Sequence, residues 1–135
     1  MMSEINSDII DYKIIPDERV KIKDELKIIA DNNKADLILT TGGTGFAERD
    51  ITPEATAEVI EKEVPGIPEK MRMDTVKITP RAALSRAKAG IRGKTLIVNL
   101  PGSPKAVKEC LESIIDILPH GIDILLAKVK EHDLN

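Results

Sequence analysis

The fold is decided by the segment Leu37-Ile38-Leu39-Thr40-Thr41-Gly42-Gly43-Thr44-Gly45, which is followed by Arg49-Asp50-Ile51-Thr52-Pro53-Glu54. A short apolar run leads into three glycines within four residues, with threonine hydroxyls beside and between them. Because glycine adopts positive φ readily and lets the backbone approach a ligand closely, successive N–H groups can converge on an anion. The segment therefore predicts a strand, a phosphate-binding turn and a helix start, with the Asp50 carboxylate beside the turn.

The composition narrows the class of protein. The 135 residues are 41% hydrophobic and 32% charged, as in one globular domain. A net charge of −3 and a content of one Tyr, one Phe and no Trp argue against a nucleic-acid partner, because phosphates and bases would lack cationic and stacking groups. No apolar run approaches the ~18 residues of a membrane span, and the single cysteine, Cys110, fits a reducing compartment. We therefore expect a soluble, cytoplasmic domain that binds neither nucleic acid nor membrane.

Strand and helix signals alternate along the first half of the chain. Ile9–Ile15 is β-branched and predicts a strand that Pro16 closes. A helix is expected after Asp17, which stands at the N-cap position, and a buried parallel strand over Ala35–Leu39. Thr52-Pro53-Glu54 places a hydroxyl at the N-cap, proline in the first turn and a carboxylate behind it, so a helix is predicted to about Val64.

The second half repeats the same device. Residues 69–89 fit either helix or strand, with a helix start at Thr79-Pro80, and Gly90–Gly93 predicts a turn. Thr95–Leu100 predicts a second buried strand, and Ser103-Pro104 begins a helix with an apolar stripe through Leu118. The apolar stretch 122–129 is of open type. Alternating strands and helices predict an α/β protein with a parallel sheet.

Ligands of such sheets bind beyond the carboxyl ends of the strands, where two glycine-containing turns are predicted, Gly42–Gly45 and Pro101–Pro104. The first turn is neither a P-loop, since no Lys follows in frame, nor a dinucleotide fingerprint, since Glu48 replaces the third glycine. Either turn alone fits an ordinary connector. Their convergence at strand ends favours a phosphate site.

The charged candidates each have a structural alternative. Asp17 fits a helix N-cap and Asp50 fits a turn, yet two carboxylates near a triphosphate also suit Mg²⁺. The arginines that would clamp phosphate, or lie on the solvated surface, are Arg49, Arg86 and Arg92. Cys110 falls on an apolar helix stripe and fits packing better than nucleophilic chemistry. His120 and His132 lack partners at metal-ligand spacing.

Four ordered motifs resemble the MogA/MoaB family, which includes the molybdopterin adenylyltransferases and the G domain of gephyrin-type proteins. They are Thr40-Thr41-Gly42-Gly43-Thr44-Gly45, Arg49-Asp50-Ile51-Thr52-Pro53-Glu54, Leu84-Ser85-Arg86-Ala87 and Asn99-Leu100-Pro101-Gly102-Ser103-Pro104-Lys105-Ala106. Ile15-Pro16-Asp17 also matches the acidic motif of the family. The resemblance extends from about Ile14 to Ile124.

The resemblance implies an α/β fold, a three-layer sandwich with a mostly parallel sheet, assembled as a homotrimer. It implies adenylylation of molybdopterin by Mg-ATP with release of pyrophosphate, and so Mg²⁺ as cofactor with ATP and molybdopterin as substrates. Asp17 and Asp50 would be catalytic, with Asp50 also holding the metal. The residues that would bind substrate or nucleotide are Thr41, Gly42, Gly43, Thr44, Gly45, Ser85, Pro101, Gly102 and Ser103.

One departure from the family leaves alternatives open. Family members begin with another strand, which ends in a Ser-Asp-Arg motif, and a helix before the strand that Ile9–Ile15 would match. Only eight residues precede that strand in this chain. We therefore expect one domain over residues 1–135, N-terminally incomplete, either marginally stable or self-associating. The alternatives are a non-catalytic trimeric module that binds pterin or nucleotide, and an enzyme acting on another phosphate-bearing metabolite.

Overall fold

The computed structural model describes residues 8–127, and within them four strands form one sheet. The strands are β1 (Leu37–Thr41), β2 (Lys62–Glu63), β3 (Ala89–Arg92) and β4 (Thr95–Leu100). Their order in the sheet is β1-β4-β3-β2. The helices are α1 (Arg19–Asp31), α2 (Thr52–Val59), α3 (Gly66–Thr75), α4 (Pro104–Ile114) and α5 (Leu118–Leu125), with a 3₁₀ turn at Pro80–Leu84. No helix within residues 8–127 has both the length and the apolar content needed to cross a bilayer.

The sheet is mixed, which corrects one part of the expected architecture. β1 pairs with β4 in parallel, from Leu37 opposite Leu96 to Thr41 opposite Leu100. β3 pairs with β4, and β2 with β3, in antiparallel register. The α/β class is confirmed, but among the described strands only the β1–β4 pair is parallel. A two-residue connection joins β3 to β4, and so short a link permits only antiparallel neighbours.

The segment Gly90–Gly93, which the sequence predicts as a turn, belongs to β3 except for its last residue. Gly90 lies within the strand, and a Cβ on it would come within 2.6 Å of the Ile60 side chain. Glycine is therefore required here by close packing, a meaning that a strand glycine often has. The turn itself begins one residue after the strand, at Gly93, where φ is +59°.

Helices cover both faces of the sheet and create the three predicted layers. Leu96, Val98 and Leu100 of β4 join one buried cluster with residues of α3, α4 and α5. Ile97, pointing to the opposite face, joins a second cluster with residues of α1 and α2. Successive side chains of a strand alternate between faces. Every residue of β4 is buried, so this strand is covered on both sides.

Helix starts follow the sequence signals with one-residue shifts. The Oγ of Ser103 caps α4 by accepting a hydrogen bond from the backbone N–H of Ala106 at 3.2 Å, as predicted. Thr52 is the first helical residue of α2 rather than its cap, which is Ile51. Glu18, not Asp17, is at the N-cap of α1, and no side chain among residues 8–127 caps that helix. The capping alternative for Asp17 is therefore wrong.

Helix ends differ more from the predictions. α2 ends at Val59, well before Val64, because Ile60 turns to an extended conformation and leads into β2. The ambiguous segment 69–89 becomes the rest of α3, the 3₁₀ turn and the start of β3. The apolar segment 122–129 is helical to Leu125, and its last two residues lie outside the described part.

The predicted strand Ile9–Ile15 is wrong, since residues 8–18 form neither helix nor strand. Four apolar side chains of this segment are largely exposed, at 78% for Ile9, 66% for Ile10, 83% for Tyr12 and 89% for Ile14. Within residues 8–127, β1 pairs with β4 alone and forms an edge of the sheet. β-branched residues favour a strand only when a neighbouring strand accepts their backbone hydrogen bonds.

A buried amide ties the two parallel strands to the helix behind them. Asn99 is fully buried in β4, and its Nδ2 donates to the Oγ1 of Thr40 at 3.0 Å and of Thr56 at 2.9 Å. Its Oδ1 accepts from the backbone N–H of Lys88 at 3.0 Å. One side chain therefore joins β1, β4, α2 and the entry to β3.

We expect Asn99→Ala to lower the free energy of unfolding by about 3 kcal/mol, because buried polar partners lose their hydrogen bonds. Asn32→Ala is the matched control, since Asn32 is exposed and donates a single bond to the Ile28 carbonyl at the end of α1. It should cost less than about 1 kcal/mol. Urea denaturation measures both, and equal losses would contradict the role of Asn99.

Candidate active site

Two glycine turns meet at the carboxyl ends of β1 and β4. The Gly42 N–H donates to the Leu100 carbonyl at 3.0 Å, so the parallel pairing continues past the last strand residues. A Cβ on Gly102 would lie 3.5 Å from the Gly42 Cα, which places the two backbones in near contact. The two loops that were predicted to converge therefore do so, at the edge of the sheet where α/β proteins bind ligands.

The first turn requires glycine for two different reasons. Gly42 and Gly43 have φ of +86° and +71°, which other residues rarely adopt. At Gly43 a Cβ would also come within 2.2 Å of the buried Thr52 Oγ1. Gly45 has no positive φ, and a Cβ there would lie 2.8 Å from the Asp50 Oδ2. The turn is thus compressed against the start of α2.

Asp50 completes a turn within the loop that follows the glycines. Its Oδ2 accepts from the Ala47 backbone N–H at 2.9 Å, and its own N–H donates to the Ala47 carbonyl at 2.9 Å. The turn alternative for Asp50 is therefore confirmed. It does not compete with ligand binding, because an ionised carboxylate has about four acceptor positions. The side chain is held in one orientation and keeps acceptor capacity.

Arg86 connects the glycine turn to α2 instead of lying free for phosphate. Its Nε donates to the Gly45 carbonyl at 2.7 Å and its Nη2 to the Asp50 carbonyl at 2.6 Å. Its Nη1 contacts the Glu54 Oε2 at 2.6 Å, and its backbone N–H donates to the Thr44 carbonyl at 2.9 Å. The hydrogen bond from Arg86 lowers the pKa of the Glu54 carboxyl below its ordinary value.

The other arginine candidates lie elsewhere. Arg92 contacts the Asp31 carboxylate through Nε and Nη2 and donates to the Val59 carbonyl at 2.9 Å, so it joins the carboxyl ends of α1 and α2. This contact lowers the pKa of Asp31 and raises that of Arg92. Arg49 is exposed in the loop before Asp50.

The serines of the two remaining motifs lie beside the turns. Ser85 precedes Arg86 and accepts a hydrogen bond on Oγ from the Ala87 N–H at 3.3 Å. Since the Arg86 N–H binds the Thr44 carbonyl, this segment runs against the glycine turn. Ser103 follows Gly102 and is exposed, with its Oγ at the start of α4. Pro101 is half-buried between β4 and this exposed pair.

Asp17 is the predicted site residue that the structure does not bring to the others. It is exposed in the segment before α1, and among residues 8–127 it makes no hydrogen bond or ion pair with Asp50 or with either turn. Within the same residues no group of three or more His, Cys, Asp or Glu side chains clusters as a metal cage. A site for Mg²⁺ would therefore rely on Asp50 and on ligand phosphates, a donor set that suits this ion, which commonly binds one or two carboxylates plus substrate.

Sequence reasoning missed the residues that support the site from behind. Two of these residues, Asn99 and Thr56, have fully buried side chains. The third is Glu54, which the sequence predicts as a first-turn carboxylate but not as the partner of Arg86. An asparagine within the apolar strand Thr95–Leu100 is the signal that was available, because a buried amide must find partners. The unreactive role of Cys110 is supported, since burial raises the pKa of its thiol to about 11.

Residues 1–120 match the sequence model of the family described as "Probable molybdopterin binding domain". The chain belongs to this family. It is 51% identical over 115 residues to the molybdopterin adenylyltransferase of Helicobacter pylori strain 26695, with 85% of this chain and 65% of that protein covered. The chain thus spans slightly less than two thirds of the length of this curated relative.

Other members of the molybdopterin-binding family show how widely the domain occurs. The chain is 51% identical over 112 residues to the molybdenum cofactor synthesis protein cinnamon of Drosophila melanogaster, covering 83% of this chain and 19% of that protein. Its fold is similar to the crystal structure of the molybdopterin biosynthesis enzyme MoaB of Thermus thermophilus, with a TM-score of 0.85 and 48% identity. That similarity covers 93% of this chain and 82% of the other.

We expect Gly43→Ala to lower the free energy of unfolding by at least about 2 kcal/mol, because it adds both an unfavourable positive φ and a clash with Thr52. Gly121→Ala is the control, since Gly121 lies within α5 and a Cβ there meets no atom of residues 8–127 within 4 Å. It should stabilise the chain by about 0.5 kcal/mol through helix propensity. Thermal unfolding measures both effects. An unchanged melting temperature for Gly43→Ala would show that the turn Gly42–Gly45 is an ordinary connector without a special backbone requirement.

The Glu54–Arg86 contact predicts a pH dependence of stability. Because the pKa of Glu54 is lowered in the folded chain, the unfolded chain binds the proton more readily, and the contact stabilises fully only above the unfolded value of 4.5. The difference in unfolding free energy between the wild type and Glu54→Gln should be below about 1 kcal/mol near neutral pH. It should shrink as the pH falls through the folded pKa. A difference that grew in acid would contradict the ion pair.

Proposed function

We propose that this chain transfers the adenylyl group of ATP to molybdopterin and releases pyrophosphate. The observation that carries the proposal is the contact of the Gly42 and Gly102 turns at the ends of parallel strands, with Asp50 held beside them. Relatives named molybdopterin adenylyltransferase at 44–51% identity support the same reaction. Both substrates carry phosphate, which suits a glycine turn whose backbone can approach an anion closely.

The reaction is a nucleotidyl transfer, a substitution at the α-phosphorus of ATP. A phosphate oxygen of molybdopterin attacks the α-phosphorus of ATP, and a new P–O bond forms. The bond from that phosphorus to the oxygen bridging to the β-phosphate breaks, and pyrophosphate leaves with that electron pair. The negative charge that develops on the oxygens calls for fixed dipoles and positioned groups rather than a covalent protein intermediate.

Each candidate residue has a role in this proposal. Thr41 and the turn Gly42–Gly45 would bind the nucleotide phosphates. Ser85, Pro101, Gly102 and Ser103 would contact molybdopterin. Asp50 would hold Mg²⁺, which would offset charge on the phosphates when bound. The catalytic role of Asp17 rests on the family resemblance, since Asp17 is exposed before α1 and contacts neither Asp50 nor the two turns in the described part of the chain.

The assembly and location are part of the same proposal. We expect a homotrimer, as the family resemblance implies, and the exposed side chains of Val76, Ile78 and Leu84 offer apolar surface for contacts between copies. Light scattering would then give three times the 14.8 kDa mass of one chain. A cytoplasmic location fits the free thiol of Cys110, because a reducing compartment preserves it.

We expect Asp50→Asn to abolish adenylylation with little change in melting temperature, because the amide keeps an oxygen that accepts from Ala47 but loses the charge. The rate of pyrophosphate release from Mg-ATP and molybdopterin measures the effect. Asp116→Asn is the control, since Asp116 is exposed after α4, at the end of the helix remote from Ser103. An Asp50→Asn variant that keeps more than about a tenth of the rate, ~1.4 kcal/mol of barrier, would contradict the role.

The same assay separates enzyme from binding module. A wild-type chain that binds ATP and molybdopterin but releases no pyrophosphate would contradict the proposed activity. Pyrophosphate release with another phosphate-bearing metabolite and none with molybdopterin would contradict the proposed substrate.

A further inference from the structure

The guanidinium of Arg86 holds both ends of one loop. Gly45 and Asp50 are the first and last residues of the loop 45–50, which leads from the glycine turn toward α2. The Gly45 carbonyl accepts a hydrogen bond from Nε of Arg86 at 2.7 Å, and the Asp50 carbonyl accepts one from Nη2 at 2.6 Å. Fixing both carbonyls on one rigid, planar group fixes the span of the loop. Inside the loop, the reciprocal bonds between Ala47 and Asp50 set the direction of the carboxylate.

The guanidinium of Arg86 is paired with acceptors of the protein itself. Its Nη1 contacts the Glu54 carboxylate at 2.6 Å, and the three donor nitrogens of the group each have a protein acceptor. An arginine that binds phosphate would instead direct its paired donors outward to oxygens of the ligand. The contacts therefore indicate a structural use of the guanidinium close to the site.

We propose that Arg86 is a positioning residue, which keeps the loop 45–50 in the shape that presents the Asp50 carboxylate to the nucleotide and does not itself bind phosphate. This inference rests on the proposed function, because it places nucleotide beside Asp50. Arg86 acts through the backbone of Gly45 and Asp50. Glu54 in turn fixes the guanidinium from the first turn of α2.

The variant Arg86→Lys distinguishes a positioning role of this side chain from direct binding of phosphate. Arg86→Lys keeps the positive charge, but a single ammonium group cannot reproduce the fork that reaches two carbonyls and a carboxylate. A side chain that bound phosphate directly would lose nucleotide affinity in this variant without opening the loop, whereas a positioning residue would lose both the loop shape and the affinity. Glu54→Gln keeps both carbonyl contacts, so it should have the weaker effect on the loop.

Arg92→Lys is a matched control for general destabilisation. Arg92 also contacts one carboxylate, Asp31, and one carbonyl, Val59, but it does so at the other end of α2. The two substitutions therefore remove the same kind of contact from opposite ends of one helix. Only the substitution at Arg86 should alter the loop 45–50.

Two measurements that need no turnover test the inference. The first is hydrogen exchange of the Ala47 and Asp50 amides, which report opening of the loop. The second is calorimetric binding of Mg-ATP in the absence of molybdopterin. We expect Arg86→Lys to speed exchange at both amides about tenfold and to weaken Mg-ATP binding about tenfold. Glu54→Gln should have a smaller effect in the same direction, and Arg92→Lys should have neither.

These two measurements test the positioning role of Arg86 separately from the proposed adenylyl transfer. Unchanged exchange in both Arg86→Lys and Glu54→Gln would overturn it, as would equal changes in Arg92→Lys. Fast loop exchange in Arg86→Lys with unaltered Mg-ATP affinity would also overturn it, because the loop shape would then not matter to the nucleotide. If Arg86→Lys fails to fold, the comparison of Glu54→Gln with Arg92→Lys gives the same decision. A wild-type chain that binds Mg-ATP without transferring adenylate would refute only the proposed reaction.

Discussion

The parallel pairing of β1 with β4 is the constraint on which the rest of the candidate site depends. Parallel neighbours end at the same edge of a sheet, so the turns that follow Thr41 and Leu100 must meet there. The pairing continues into the first turn through the Gly42 N–H, and the buried amide of Asn99 fastens the two strands to α2 from within. A shift in this register would separate the turns and also leave a buried amide without partners.

Much of this arrangement could be predicted because its signals are local. The unit from Leu37 to Glu54 combines an apolar run, glycines that need left-handed backbone and a helix start, all within a few residues of one another. The unit from Thr95 to Leu118 repeats the order of strand, glycine-containing turn and helix start, and its Ser103 cap lies where the sequence predicts it. Since parallel strands bind ligands at their carboxyl ends, the two local units were sufficient to predict that the turns converge.

The remaining features depend on contacts between distant parts of the chain. The guanidinium of Arg86 binds groups that lie 32 to 41 residues away, and no short-range pattern specifies such partners. Gly90 resembled a turn residue because the Ile60 side chain that excludes a Cβ lies on another element. Ile9–Ile15 has the composition of a strand, but composition does not provide the neighbouring backbone that a strand requires.

The burial of Cys110 has a practical consequence for studying this protein by spectroscopy. Burial raises the pKa of the Cys110 thiol to about 11, so the nucleophilic thiolate is scarce at neutral pH. It is the only cysteine in the chain, so the native surface is almost silent toward maleimides and other thiol reagents. A cysteine introduced at an exposed position would therefore accept a single fluorophore or spin label without first deleting a native residue, and distances from the glycine turns could be followed on an otherwise unmodified chain.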